Sequence, residues 1–481
     1  MARSFIPQST FPIPHFFSGI ITNRLFFAFR VKIAAYVLFT LVHHGRSPAS
    51  SRWSLATHLL LRGLTGEEEL LAQLRGVPQW VYGSIRPQPA LAPHALAPSA
   101  LPPFGINTFL EQEALPEVRD ESLRLIKEAG FAMIRQPFVW ADIEIHGKGD
   151  FVDRRNDPAG VDAWLKYDNI VELAEKNGIE ITARLDKPPA WSRAEPPDVT
   201  GDFAPPDDYA DFVDFAAAVA ERYKGRIRYY QIWNEPNGNE EWGKHQPVNP
   251  EEYTELLCLT YERIKAIDPE AVVLMGALTP TVAVDGRNLN DIIYLQRMYL
   301  AGAGDCFDIL SAQGYGLWSG ATDHRLRPTV INYPHHLLLR DVMVQNGDGH
   351  KELWISEMGW NSVPETLPAN FGRVSEAQQG QYAVEAYQRI LADWPWVGVG
   401  NYWFFKRATD WETDQPFYYF RLMEPDFTPL PAYAAIQEYA TADPERQIRP
   451  AWWYVWQQNR PTLILLGAAV LVYNLLRKLL I

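Results

Sequence analysis

Cysteine is nearly absent. Cys258 and Cys306 are the two in a chain of 481 residues. They form no CxxC pair and no Cys/His cluster, so no zinc or redox motif is visible. Cys258 falls within a helical pattern and reads as a small core residue, with a disulfide to Cys306 as the alternative. His43-His44 and His335-His336 are adjacent pairs. They lack the i, i+4 spacing of a helical metal site and read as solvated or core histidines. Basic charge is also short. The net charge of −14 argues against nucleic acid as a partner, since such proteins present a basic face. No Gly-rich loop follows the first strand pattern, which weakens an open nucleotide-binding sheet. No apolar run clearly reaches the about 20 residues of a full membrane span.

What the chain does have is apolar and aromatic content. Hydrophobic residues make up 47% of it, enough for a large core, and there are 17 Trp. Tryptophan this frequent suits stacking on sugar faces or a membrane-interface belt, as well as core packing. Four regions follow from composition. Residues 1–42 place Arg24, Arg30 and Lys32 before the apolar run Ile33 to Val42, as in a signal peptide or signal anchor. Residues 43–103 read as a low-order linker. A short helix from Glu69 to Leu74 follows the capping box at Thr65, and a Pro/Ala-rich stretch runs from Pro87. Residues 104–440 carry regular strand–helix alternation. Residues 441–481 hold Trp452-Trp453-Tyr454-Val455-Trp456, an apolar run from Leu463 to Leu476, then Arg477-Lys478. That order reads as an aromatic belt, a C-terminal membrane helix and a basic cytoplasmic end, which would put the rest of the chain outside the cytoplasm. An amphipathic helix lying on a surface is the alternative.

The alternating region contains eight units. Strand patterns fall at 104–110, 131–138, 179–186, 227–235, 271–278, 307–315, 351–357 and 397–405. Helical patterns fall at 116–129, 162–177, 207–224, 250–267, 289–301, 335–346, 375–393 and 431–440. Asn249-Pro250 and Ser375-Glu376-Ala377-Gln378 are strong helix starts, and Gly130 and Gly178 sit where helices should stop. Strands alternating with helices imply a parallel sheet. Eight units imply closure, so the expected fold is an α/β (β/α)8 TIM barrel. An open doubly wound sheet is the runner-up.

Two strand ends carry chemistry. The fourth strand finishes in Gln231-Ile232-Trp233-Asn234-Glu235-Pro236-Asn237. Pro236 has no N–H and disfavours helix for Glu235, so the carboxyl should sit where strand pairing stops. The seventh finishes in Leu353-Trp354-Ile355-Ser356-Glu357-Met358-Gly359-Trp360. In a barrel of this kind the loops after the strands meet at one mouth. Two carboxyl groups about 5–5.5 Å apart across a glycosidic bond suffice for retaining hydrolysis.

These two stretches resemble the glycoside hydrolases of clan A, in which an Asn-Glu pair ends the fourth barrel strand and a lone Glu ends the seventh. Trp233-Asn234-Glu235-Pro236-Asn237 is most similar to family 39. A family 5 cellulase-like relative is the runner-up, because no accessory β-domain is evident. The resemblance implies a retaining glycosidase with Glu235 as acid/base and Glu357 as nucleophile. It needs no metal or organic cofactor, and its substrate is an oligosaccharide, polysaccharide or glycoconjugate. It also implies that Asn234 binds the sugar 2-hydroxyl, Arg135 keeps the nucleophile ionised, Tyr315 donates to Glu357, and Trp403 forms the floor under the sugar. Trp140, Trp191 and Trp360 follow strands and are candidate groove residues; Asn107 and Asp186 are weaker strand-end candidates. Asn234 and Glu235 can share one site only if the strand breaks its alternation there. A catalytically silent carbohydrate-binding barrel is the reading of a different class.

Overall fold

The computed structural model describes residues 65–85 and 101–447, with scattered positions between 57 and 62 and between 450 and 474. The signal-like segment and most of the Pro/Ala stretch and of the C-terminal apolar run therefore lie outside the described residues. Among the described residues, no helix is long and apolar enough to cross a membrane. The chain divides into two compact units, Met1–Ser84 and Ile85–Ile481. A helix spans Leu70–Ile85, all but its last residue within the first unit, and runs through Pro78. It is longer than the short helix ending near Leu74 that the sequence suggests.

In the second unit, eight strands lie parallel around a barrel. They are β1 (Phe104–Asn107), β2 (Met133–Val139), β3 (Glu180–Asp186), β4 (Tyr229–Asn234), β5 (Val272–Ala277), β6 (Leu310–Tyr315), β7 (Leu353–Gly359) and β8 (Val397–Tyr402). The sheet order is β5-β4-β3-β2-β1-β8-β7-β6. Parallel bridges Leu274↔Ile309 and Leu278↔Ala312 join β5 to β6 and close the ring. Each strand leads to one helix: α1 (Pro116–Glu128), α2 (Leu165–Asn177), α3 (Tyr209–Arg222), α4 (Pro250–Ile267), α5 (Asp291–Leu300), α6 (His336–Gln345), α7 (Glu376–Asp393) and α8 (Pro431–Thr441). The eight expected units are all present, with boundaries trimmed by a few residues.

The local signals act as expected. Asn249 accepts from the Glu251 and Glu252 amides at the start of α4. Ser375 and Gln378 form the reciprocal capping box of α7. Gly178 ends α2 in a left-handed conformation (φ 61°), which it adopts without a Cβ clash. The main core lies between strands and helices. A second apolar cluster, including Met133, Tyr229, Leu274, Ile309, Trp354 and Val399, is drawn from five strands and the residue just before β6. Met133 lies two residues before Arg135 on β2, so the two share a face, with the cluster toward the N-terminal end and the arginine toward the mouth.

One sequence reading of the cysteines is corrected. Cys258 on α4 and Cys306, just before β6, are disulfide-bonded with Cα atoms 4.8 Å apart. Their separation of 48 positions hides a contact that the ring brings about, since α4 packs beside the β5–β6 connection.

Candidate active site

The end of β4 is built to face two consecutive side chains toward one cavity. Trp233 and Glu235 both have positive φ, 72° and 41°. Left-handed backbone at a bulky residue is costly, of order 1–3 kcal/mol, and persists only where neighbours hold it. Here they do. The Trp233 ring turns away among Phe212 and Trp242, with ring centroids 5.6 and 5.3 Å away. Its indole donates to the Glu241 carbonyl at 2.7 Å. Tyr253 of α4 donates to the Ile232 carbonyl (2.8 Å) and accepts from the Gly276 amide (2.5 Å), tying β4 to β5 just before the kink. The Glu235 amide still bonds Ala277 at 3.0 Å. Strand alternation is broken as required, and Asn234 and Glu235 both line the cavity.

Glu357, at the end of β7, sits in a dense polar network and is 4% exposed. Arg135 from β2 donates to its Oε1 at 2.7 Å. The same guanidinium donates to Asn107 (2.9 Å), Asn234 (2.7 Å) and Gln231 (2.6 Å). Tyr315 from β6 donates to the other oxygen, Oε2, at 2.5 Å. Burial and the neighbouring carboxylates hold the Tyr315 phenol far above its usual pKa, so it remains a donor. Each Glu357 oxygen thus receives a hydrogen bond from a fixed group, one of them a permanent cation. Gln231 also reaches the Ser356 hydroxyl at 2.8 Å, and Asn107 reaches the Ser356 carbonyl at 2.9 Å. The network therefore fixes the strand as well as the carboxylate.

Glu235 has a thinner supporting cast. Gln313 donates to its Oε1 at 2.9 Å. Burial, then the facing charges of Glu357 and Glu241, push its pKa up to about 8, against the Gln313 hydrogen bond and Arg135. The carboxyl is thus biased toward its protonated form, while Glu357 is paired with an arginine. Two carboxyls with opposed environments open onto one cavity of about 540 Å3. That arrangement can donate a proton on one side and present a nucleophile on the other.

Trp403 lines the cavity, as do Tyr315 and Asn234. The Trp403–Phe404 peptide is cis. Among the described residues, no other tryptophan lines the cavity. Trp140 is fully buried, stacks on Phe215 with centroids 5.4 Å apart and donates to Glu144 at 2.6 Å. Trp191 packs edge-on against Trp140 and bonds the Glu144 carbonyl. Both are corrections to the groove assignment. The chain turns helical at Trp140 directly after β2, which swings that ring onto Phe212 and Phe215 of α3, and a 3-10 turn at Ala190–Ser192, shortly after β3, lays Trp191 against it. Trp360 is also buried, bonded to the Ser319 carbonyl. Asn107 belongs to the Arg135 network, and Asp186 pairs with Arg184 below the mouth.

Several groups at the site were not singled out from sequence. Gln313 lies two residues before Tyr315, so strand periodicity alone would place them on one face. Gln231 carries no comparable local mark. Glu241, Arg184 and Lys187 line the cavity from loops and strand ends, and only loop placement reveals them. Among the described residues, no cluster of His, Cys, Asp and Glu could hold a metal.

Barrel, paired carboxyls and supporting network define a glycoside hydrolase of clan A. A family model described as cellulase, glycosyl hydrolase family 5, matches residues 99–344, and the chain belongs to that family. This is the second of the two families raised from the motifs. The first appears among similar solved structures. One is a family 39 glycoside hydrolase from Bacteroides cellulosilyticus, 20% identical, with a TM-score of 0.52, covering 73% of this chain and 65% of that one. Another is the family 39 enzyme from Xanthomonas axonopodis, 18% identical, TM-score 0.52, covering 74% and 69%. A third is a glucosidase from Croceicoccus marinus, 14% identical, TM-score 0.51, covering 72% and 69%. The chain spans just under two thirds of the first of these, and at such identities the likeness is one of fold. No curated protein matches the chain by sequence.

Proposed function

We propose that this protein hydrolyses an oligosaccharide, polysaccharide or glycoconjugate with retention of anomeric configuration. Glu357 attacks the anomeric carbon while Glu235 protonates the departing glycosidic oxygen, and the C–O bond to the leaving group breaks. The Glu357 ester that forms carries no charge. The electrostatic contribution that raises the Glu235 pKa is thereby removed, and Glu235, now ionised, takes a proton from water. That water attacks the anomeric carbon and releases Glu357. Asn234, fixed by Arg135, holds the sugar 2-hydroxyl, and Trp403 supports the ring face. The observation that carries this reading is the opposed setting of the two carboxyls on one cavity, arginine-paired at Glu357 and desolvated at Glu235.

The test uses aryl glycosides of both anomers with Glu235→Ala and Glu357→Ala. Loss of turnover in both is expected. Azide should rescue the Glu235→Ala enzyme on an activated substrate, giving a glycosyl azide of retained configuration. Wild-type activity in both variants would overturn the assignment. Sugar binding by the unmodified protein, with no turnover of any substrate, would favour the silent binding barrel.

We also propose an extracytoplasmic barrel held at a membrane by the C-terminal apolar run. The basic residues after that run and the Cys258–Cys306 disulfide support it, since disulfides persist in oxidising compartments. Protease added to intact cells should digest the barrel. Full protection there, with digestion only after lysis, would overturn the orientation.

A further inference from the structure

The catalytic cavity has a cationic corner that the retaining mechanism does not use. Arg184 near the end of β3 and Lys187 just beyond it both line the cavity with Glu235 and Glu357. Arg184 is 5% exposed. Its Nε is ion-paired with Asp186 at 2.8 Å. Lys187 is held in a left-handed conformation (φ 57°). Its ammonium lies over the Phe203 ring at 5.1 Å, and among the described residues it forms no ion pair. A lysine at positive φ is strained and persists only where its surroundings hold the backbone.

The other charges around the cavity are largely spoken for. Arg407 pairs with Glu412 at 2.7 Å, and Arg135 with Glu357 at 2.7 Å. Besides Asp186, the carboxyls that act on Arg184 are Glu241, Glu357 and Glu111, and Glu241 and Glu111 also face Lys187; among the described residues, none of these three closes to ion-pair distance with either cation. A neutral sugar would ask only for hydrogen bonds here. A desolvated guanidinium beside a free ammonium offers more: planar donors for a carboxylate or sulfate, plus a mobile point charge.

We propose that the Arg184–Lys187 corner binds an anionic substituent, a carboxylate or a sulfate, on a sugar unit in the catalytic cleft. The substrate class is therefore an acidic glycan rather than a neutral one. The inference rests on the glycosidase reading for its substrate but not for its test, because binding can be measured without turnover. Glu241, across from the two cations, then accepts hydroxyl hydrogens of the same sugar.

The experiment titrates the full chain with glucuronate, galacturonate, glucose 6-sulfate, glucose and galactose, read by calorimetry or saturation-transfer NMR. At least one acidic sugar is expected to bind tenfold or more tightly than its neutral counterpart, and the preference should shrink as salt is raised. The two uronates against the sulfate ester separate the two anion types. Lys187→Met should reduce the acidic-over-neutral preference at least tenfold, while Lys187→Arg should keep most of it. Circular dichroism of both variants shows whether the barrel stays folded. Equal binding of acidic and neutral sugars by the unmodified protein would overturn the proposal. So would a preference that Lys187→Met leaves intact. Either result can coincide with normal glycoside turnover, so failure here is separable from failure of the retaining mechanism.

Discussion

The ends of β4 and β7 carry the same residue in opposite settings. Glu357 on β7 accepts from Arg135 and Tyr315 and is almost wholly enclosed. Glu235 on β4 has a single side-chain partner, Gln313, and faces two other carboxyls. Backbone geometry differs as well. Strand β4 kinks through positive φ at Trp233 and Glu235, while no residue of β7 has a positive φ. The lesson is that chemical role is assigned by environment rather than by residue type. A carboxylate clamped by a cation is fixed in place with its charge paired, and one held in a desolvated, like-charged corner is pushed toward its protonated form. The kink adds a geometric difference, because it lets a neighbouring Asn share the site.

The comparison is broken most severely by deleting its anchored half. Glu357→Ala should lower kcat by more than the about 10²–10⁴-fold expected for losing a general acid, since the covalent step itself is removed. Glu235→Gln should fall within that 10²–10⁴ range for substrates with poor leaving groups, and by less for activated aryl glycosides. A similar loss on both substrate types would remove the proton-donor role.

Arg135→Met leaves Glu357 and Asn234 buried without their cation. Removing one partner of a buried pair costs about 3–5 kcal/mol, so both activity and unfolding temperature should drop. A variant of normal stability and activity would show that the network is dispensable. Tyr315→Phe removes one hydrogen bond to a charged acceptor, worth about 1.5–3 kcal/mol. Because the bond is already present in the free enzyme, kcat/KM should fall, by up to about 10- to 150-fold, only as far as the bond is stronger in the transition state, and the rest of the loss should show in the unfolding temperature.

The smallest effects test the β4 side through pH. Glu235 must be protonated to act as acid, so kcat/KM should fall as pH rises through about 8. The Gln313 hydrogen bond lowers that pKa, so Gln313→Leu should move the alkaline limb upward. The Glu241 charge raises it, so Glu241→Gln should move the limb downward. Limbs that move in the opposite sense, or stay put in both variants, would break the assignment of the titrating group.

Much of this protein was legible without coordinates. Apolar periodicity switching between 2 and 3.6 residues, with caps at Asn249 and Ser375 and a stop at Gly178, marks eight β/α units because those signals are local and backbone-driven. Counting the units puts Glu235 and Glu357 on strands four and seven, and strand ends of a closed barrel share one mouth. Even the break in alternation at Asn234-Glu235 follows from requiring two neighbours to face one site. The tertiary structure decided the rest. Whether Trp140 and Trp191 face sugar or helix depends on how the chain turns after each strand, and both turn inward to the helical layer. The Cys258–Cys306 bond, the Gln231 and Gln313 supports, and the arrival of Glu241, Arg184 and Lys187 in the cavity all join segments far apart in sequence. Such contacts are set by ring closure and loop placement. A residue's local pattern carries no record of which distant side chain will stand opposite it.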